Sequence, residues 1–389
     1  MKATTATAVL DNVRDVAGQF GRDGVERRER RHLERADFQQ LSDAGMTLTG
    51  VPAAAGGLWE SLTESVALYC ALYRALAAGD PSVALVSTMH PAVLGFWLMV
   101  DAAPDPYAQS WQTQRAKWQE LALSGHWFGT IASEPGSAGD LMATRATATQ
   151  SADGSWAISG AKHMGSGSGI TSFMVTVAKP QGEDLPEVFM FDTRARPWDG
   201  SAGVRLMAEW DGIGMAATQS HAFHFDAMPA ERYAWHGRAL QIFPQLGPFI
   251  NCLFAAVTVG ILDAALTAAR TTLGKRPALK TLEETEWTAA ETGHWQADQI
   301  LRGMIGAVQT GDRALLQTLH GKVALSRLAE DTMTQVGRAI GGRAFSRSAP
   351  FAQWNEDVRA LGFLRPPWAL AHERLFEFVQ ADAATQAGS

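Results

Sequence analysis

The sequence is poor in cysteine and in charge. Only two cysteines, Cys70 and Cys252, occur in 389 residues, and neither belongs to a CxxC or Cys/His pattern. The spacing excludes a disulfide framework or a structural zinc site, so we predict no metal site and a reducing, cytoplasmic location. Charged residues make up 19% of the chain, and the formal net charge is −7. A negative net charge argues against non-specific binding to nucleic acid.

Long apolar runs without charge are also missing. The most apolar stretch, residues 252–269, contains Asp263, and a carboxylate at the centre of a membrane span would cost about 3 kcal/mol. We therefore predict a buried helix here and no membrane association. The first thirty residues become strongly charged and lack the apolar segment of a secretory signal.

The periodicity of apolar residues changes twice along the chain. Up to about residue 120, Ala- and Leu-rich segments carry apolar residues at spacings of three and four, which is typical of helices. Short β-rich runs such as HWFGTIA and SFMVTVA then alternate with turn-forming residues, and the helical period returns after Ile242. We predict an α+β fold with an N-terminal helical domain (1–120), a central, mostly antiparallel β domain (121–235) and a C-terminal helical domain (236–389).

Two segments of the predicted β domain are rich in small residues. The first, residues 133–148 (SEPGSAGDLMATRATA), would let backbone N–H groups approach a planar or anionic ligand closely. The second, residues 159–173 (SGAKHMGSGSGITSF), carries Ser166 and Ser168, whose hydroxyls could hydrogen-bond a heteroaromatic ring. Each segment alone could be an ordinary surface turn. Their placement on consecutive hairpins favours one shared ligand site.

Four motifs, taken in order, resemble those of the acyl-CoA dehydrogenase superfamily of flavoproteins. Residues 132–140 (ASEPGSAGD) resemble its TEPxAGSD loop, residues 160–167 (GAKHMGSG) its GTKxWITN segment, and residues 212–218 (GIGMAAT) its xGxRGSxT turn. Residues 335–342 (QVGRAIGG) and 357–360 (DVRA) are similar to the QxxGGxG…RDxRA region. The motifs extend over nearly the whole chain, and their shared order and spacing form a specific signal.

The resemblance implies an acyl-CoA dehydrogenase-like fold whose C-terminal domain is a four-helix bundle. A flavin, FAD or FMN, would lie between the β domain and these helices. The resemblance also implies a homotetramer or homodimer, and Gly341 and Gly342 would reach the cofactor of a neighbouring subunit. The predicted cofactor-binding residues are Thr130, Ile131, Ser133, Gly139, Met164, Ser166, Gly341 and Gly342. Ser137 and Trp368 are the predicted substrate contacts.

The sequence departs from the dehydrogenases at two functional positions. Those enzymes remove the α-proton of an acyl thioester with a glutamate, but Arg365 stands at that position, and a guanidinium cannot serve as the base. The alternative position for the glutamate falls near Ile250, which is uncharged. The arginine that holds the FAD pyrophosphate is also missing, although Arg270, Lys275 or Arg276 could supply a cation. FMN, or a flavin delivered by a partner reductase, is therefore favoured.

These departures favour a monooxygenase branch of the same superfamily. Residues 364–369 (LRPPWA) are similar to the LHxPxA segment of dibenzothiophene-monooxygenase-type enzymes, with Arg365 in place of a histidine. In that branch reduced flavin reacts with O₂ to give a flavin peroxide, which Arg365 or His90 could stabilise. His90 could equally be a histidine of the hydrophobic core.

Three functions remain open on the sequence. The first is a flavin-peroxide monooxygenase acting on a small organic substrate, for instance an aromatic or heterocyclic compound. The second is an acyl-CoA dehydrogenase for an acyl thioester, with a base relocated to Glu356, His372 or Glu373. The third is a catalytically idle flavin- or acyl-binding protein.

Overall fold

The computed structural model describes residues 5–137 and 139–387, except for the side chains of residues 240 and 382–387. The first third of the described chain is helical. Local sequence explains its helix starts, since Ser61 caps α4, while Asp80 caps α5 and Pro81 occupies the first turn of that helix. The helices are α1 (Ala6–Arg22), α2 (Gly24–Glu29), α3 (Arg35–Asp43), α4 (Leu62–Gly79), α5 (Pro81–Leu98) and α6 (Ala108–Leu123).

The middle of the chain forms a sheet of seven strands in the order β1-β4-β2-β3-β7-β5, with β6 paired to β7. The pairings are antiparallel except that β4 runs parallel to β1 and β2. The β4 sequence is apolar and almost continuously buried, as expected for a strand covered on both faces. The strands are β1 (Phe128–Thr130), β2 (Thr147–Gln150), β3 (Trp156–Gly165), β4 (Phe173–Pro180), β5 (Glu187–Asp192), β6 (Val204–Ala208) and β7 (His221–Arg232).

The C-terminal part returns to helices, and α7 to α10 pack against one another as the predicted bundle. Its helices are α7 (Arg238–Leu273), α8 (Thr281–Thr310), α9 (Ala314–Ile340), α10 (Phe351–Phe363) and α11 (Trp368–Ala387). The predicted fold class is therefore confirmed. The proposed domain boundary at residue 120 falls inside α6, whereas the boundary at 235 lies between β7 and α7; the division into domains stays a prediction.

The two most apolar helices, α5 and α7, form the centre of the protein. Both are long and apolar enough to cross a membrane, but 89% and 83% of their apolar segments are buried inside the protein. Asp263 is accommodated within α7 because it forms an ion pair with Arg74 of α4, at 2.6 Å. The two cysteines are buried as free thiols, Cys70 on α4 and Cys252 on α7.

Candidate functional site

The predicted ligand site begins where β1 ends. The backbone N–H of Ile131 donates to the Val175 carbonyl (2.9 Å), and its carbonyl accepts from the Thr176 hydroxyl (2.6 Å). The Ile131 side chain is buried in the β core, so this residue anchors the chain to the sheet and has no side chain to offer a cofactor. Its neighbours Thr130 and Ser133 are only half-buried and remain accessible.

Arg365 joins the first small-residue loop to the C-terminal helices. Its guanidinium donates one hydrogen bond to the Ser133 hydroxyl (2.6 Å) and another to the Gly139 carbonyl (2.8 Å). Gly139 has φ +87°, and a Cβ there would lie 3.0 Å from the Pro367 ring, so both backbone conformation and space require glycine. Burial lowers the pKa of Arg365 to about 10, so it stays a cation at neutral pH.

A buried lysine holds the segment that carries Arg365. Lys322 of α9 is 2% exposed, and its Nζ donates to the carbonyls of Leu364 and Pro366, on either side of Arg365. Burial lowers the pKa of Lys322 to about 7. This residue was not identified from the sequence. The signal was present, because Thr318, Lys322 and Ser326 follow each other at intervals of four on the buried face of a helix.

The second small-residue segment places a chain of hydroxyls beside the first. Ser166 is buried and hydrogen-bonds the Ser220 hydroxyl (2.9 Å), which in turn contacts the Thr218 hydroxyl (2.8 Å). Met164 has φ +60° and is 51% exposed. A non-glycine residue in this left-handed region is strained, and such strain is concentrated at functional sites.

An ion pair and a backbone hydrogen bond join the two small-residue segments, 133–148 and 159–173. Lys162 and Glu134 form a fully buried ion pair at 2.6 Å, and the N–H of His163 donates to the Ser133 carbonyl at 3.0 Å. Burial opposes ionisation of Glu134, but hydrogen bonds from Lys162, Thr144 and a backbone N–H outweigh it and lower its pKa to about 2. Glu134 is thus a structural carboxylate that faces inward and is not available as a base.

His90 lies in the hydrophobic core, and its predicted catalytic role stays a prediction that its surroundings disfavour. The residue is fully buried between the rings of Trp127 and Phe128. One ring nitrogen contacts the Thr47 carbonyl (2.9 Å), and the other accepts from the N–H of Phe128 (3.3 Å). Burial lowers the pKa of His90 to about 4, so it is a neutral core histidine whose hydrogen bonds are satisfied.

The two predicted substrate residues have local partners. The Ser137 hydroxyl donates to the Glu134 carbonyl (3.1 Å) and so closes the turn of the first loop. Trp368 stacks on His372 and packs over Gly362, where a Cβ would lie 2.0 Å from the indole nitrogen. A role for either residue in binding substrate stays a prediction.

The residues that could hold a flavin fit a flat, hydrogen-bonding ligand. Ser133, Ser166 and the half-exposed end of β1 offer hydroxyls and backbone groups, while Met164 provides an accessible apolar side chain. Ala138, inside the first loop, lies outside the described residues.

Comparisons with known proteins agree with the observed fold. Residues 129–228 match the family described as the middle domain of acyl-CoA dehydrogenase. The butyryl-CoA dehydrogenase structure from Megasphaera elsdenii superposes with a TM-score of 0.81 at 16% identity, covering 96% of this chain and 98% of that chain. The resemblance to the acyl-CoA dehydrogenase superfamily is confirmed.

The similar proteins identified by sequence are described as nitrososynthases and monooxygenases. An amino sugar nitrososynthase from Streptomyces peucetius is 25% identical over 85% of this chain and 82% of its own length. A probable FMNH₂-dependent monooxygenase from Pseudomonas putida is 28% identical, and a dibenzothiophene monooxygenase from Mycolicibacterium goodii 26%. These two matches cover 69% and 67% of this chain, and 62% and 61% of the relatives. The predicted class, a flavin-dependent oxidoreductase, is confirmed at this level.

Gly341 and Gly342, which the resemblance assigns to the cofactor of a neighbouring subunit, lie at the end of α9. A Cβ added at Gly341 or Gly342 would meet no atom within 4 Å, and both glycines line an open cleft of about 700 Å³ beside the exposed Phe345. Arg276 bonds carbonyls at the end of α9 and pairs with Glu283. Arg276 is therefore already engaged, and contact of the two glycines with a neighbouring subunit's flavin stays a prediction.

Proposed function

We propose that this protein is a monooxygenase that takes up reduced FMN from a separate flavin reductase and oxygenates a small organic substrate. The observation that carries the proposal is Arg365. Arg365 donates to Ser133 at 2.6 Å, and by the motif resemblance this cation stands where a dehydrogenase needs a carboxylate. When bound, reduced flavin supplies the two electrons that allow one atom of O₂ to enter the substrate while the other leaves as water.

The residues of this chain have separate tasks in such a reaction. Ser166, Ser133 and the end of β1 would orient the flavin ring through hydroxyl and backbone hydrogen bonds. Arg365 uses two of its nitrogens on Ser133 and Gly139 and keeps further N–H groups in a fixed fork. A preorganised cation of this kind stabilises negative charge that develops on oxygen, because it needs no reorganisation during the reaction.

The alternative, a dehydrogenase with a relocated base, lacks support at the residues named for it. Glu356 is held by Arg359 at 2.9 Å, His372 stacks on Trp368, and Glu373 is exposed on α11. The relatives described as monooxygenases and nitrososynthases also support an oxygenase over a dehydrogenase. The accessible Ser133 also disfavours an idle protein with a filled ligand site.

The proposal can be tested with purified protein and reduced FMN. Rapid mixing of the reduced complex with O₂, with and without candidate aromatic and heterocyclic substrates, should show substrate-dependent oxygen incorporation. Arg365→Ala should reduce product formation at least a hundredfold, whereas Arg359→Ala, which removes an exposed ion pair on the neighbouring α10, should leave it unchanged. Anaerobic bleaching of bound oxidised flavin by acyl-CoA thioesters would instead establish a dehydrogenase.

A further inference from the structure

A second cleft lies apart from the flavin-binding residues. It has a volume of about 470 Å³ and is formed where α2, the end of α4, the start of α5, the second half of α7 and the start of α10 meet. The residues of interest on its wall are Arg28, Ser82 and Trp354. Thr130, Ser133, Ser166 and Arg365 do not line it.

The arginines on the wall of this cleft differ in their partners. Arg27 is buried, and each of its three guanidinium nitrogens donates a hydrogen bond: two go to the oxygens of Asp37 (3.0 and 2.7 Å) and one to Asp80 (2.7 Å). Arg30 also bonds Asp37, at 3.2 Å. Arg28, by contrast, is half-buried and has no hydrogen bond or ion pair with any residue that the structure describes. It therefore presents a positive charge without a hydrogen-bonded partner.

The carboxylates on the wall do not pair with this charge, since each has its own partner. Asp263 pairs with Arg74 at 2.6 Å, and Asp357 accepts a hydrogen bond from the N–H of Met215 at 2.6 Å. Asp80 caps α5 in addition to holding the buried arginine described above. The guanidinium of Arg28 is thus the group on this wall that still lacks a bonded anion.

A hydroxyl on the same wall supports the same conclusion. Ser82 is 8% exposed, and its hydroxyl has no hydrogen-bond partner among residues 5–137 and 139–387. This hydroxyl is therefore open to a ligand that accepts its hydrogen bond. The wall also includes Trp354 and the small side chains of Ala217, Ala264 and Ala268, which suit a flat apolar group.

We propose that this cleft binds a small organic anion. Its oxyanion headgroup, a carboxylate or a phosphate, bonds Arg28 and the Ser82 hydroxyl, and its flat apolar body packs against Trp354. The proposal does not depend on the reaction at the flavin site, because the two sets of residues are separate.

The test uses calorimetric titration of the flavin-free, full-length protein with benzoate, phenyl phosphate and inorganic phosphate, and the variants at Arg28 and Ser82 assign the binding to this cleft. We expect benzoate or phenyl phosphate to bind, and the tighter of the two identifies the headgroup. Arg28→Gln should weaken binding at least tenfold and Ser82→Ala several-fold. Arg22→Gln, which changes an exposed arginine at the end of α1, should have no effect.

Three results would overturn the proposal. One is that neither aromatic anion binds, and another is that the Arg28→Gln protein binds them as the wild type does. The third is that inorganic phosphate binds as tightly as phenyl phosphate, since the apolar wall would then contribute nothing. If Arg28→Gln lowers the melting temperature, Arg28→Lys provides a second variant, which keeps the charge but loses the fork geometry and should bind with intermediate affinity.

Discussion

Replacing Lys322 with methionine tests whether a buried amine holds the Arg365 segment in place. Methionine has a similar length and no charge, so it fills the volume between α9 and the end of α10 while removing the donor. The carbonyls of Leu364 and Pro366 then lose the Nζ that they share. The expected consequence is a looser Arg365 and a changed dependence of stability on pH.

The size of the expected change in the free energy of unfolding follows from the burial of the Lys322 amine. Lowering the pKa of Lys322 from 10.5 to about 7 corresponds to a penalty of roughly 5 kcal/mol for the charged form in the folded state. Below pH 7 the folded protein carries this penalty in full. Between pH 7 and 10.5 the unfolded chain binds the proton and the folded chain does not, so the free energy of unfolding rises with pH.

The Lys322→Met substitution removes both the cost of burying the charged amine and the hydrogen bonds that the amine donates. Two buried carbonyls without a donor cost about 1–3 kcal/mol each, which offsets much of the roughly 5 kcal/mol gained at neutral pH. Near pH 7 the variant should therefore lie within about 2–3 kcal/mol of the wild type. By pH 9.5 it should have lost a further ~3 kcal/mol relative to the wild type, because it lacks the stabilisation that deprotonation provides.

The assay is urea denaturation of the flavin-free protein at pH 6.5, 7.5, 8.5 and 9.5, followed by FMN titration of each variant. Lys275→Met, at an exposed lysine, controls for removal of a positive charge and should keep the wild-type pH dependence. FMN should bind more weakly to the Lys322→Met protein, because Arg365 no longer holds the Ser133 loop firmly. Parallel stability curves for wild type and Lys322→Met, with equal FMN affinity, would refute the reasoning.

Three further predictions concern the site and its support. Ser166→Ala should weaken flavin binding by about 1 kcal/mol, roughly fivefold in a fluorescence titration. Ser168→Ala removes a hydroxyl that is bonded within its own turn and should not weaken binding. Equal losses of affinity in the two variants would place the flavin ring elsewhere. Gly139→Ala should destabilise the protein more than Gly182→Ala, because both glycines have positive φ but a Cβ clashes with a neighbour at Gly139 alone of the two; thermal unfolding compares them. Burial raises the pKa of Asp357 to about 7, so the contribution of this carboxyl to the free energy of unfolding should fall by roughly 3–4 kcal/mol between pH 4 and 7; the difference in stability between wild type and Asp357→Asn across that range measures it.

The fold could be predicted from the sequence because its signals are local. Helical spacing of apolar residues and alternation in the short β runs gave the order of helices and strands. The burial of α7 was also predictable, since one aspartate in an apolar stretch argues against a membrane span. The partner of that aspartate, Arg74, lies 189 positions away in the chain and could not be read from spacing.

The site was predicted in part, for a similar reason. The motifs located Ser133, Ser166 and Arg365, but they do not state which side chains touch. The pairing of Glu134 with Lys162, and the contacts of Lys322 with the Arg365 segment, require the tertiary structure. The sequence left two interpretations of His90 open, because a histidine in an apolar helix looks the same in sequence whether it faces a ligand or the core.

The surroundings of Arg365 show why its exchange for glutamate should not create a dehydrogenase. The Gly139 carbonyl lies 2.8 Å from one guanidinium nitrogen, and carbonyl oxygens can only accept hydrogen bonds. A carboxylate directed at that carbonyl would meet an acceptor and be repelled. The Ser133 hydroxyl could turn to donate, but Lys322 fixes the backbone on both sides of residue 365 and limits how far the new side chain can move away. The loop from Ser133 to Gly139 therefore requires a hydrogen-bond donor at position 365, and a working base there would require changes in that loop as well as at Arg365.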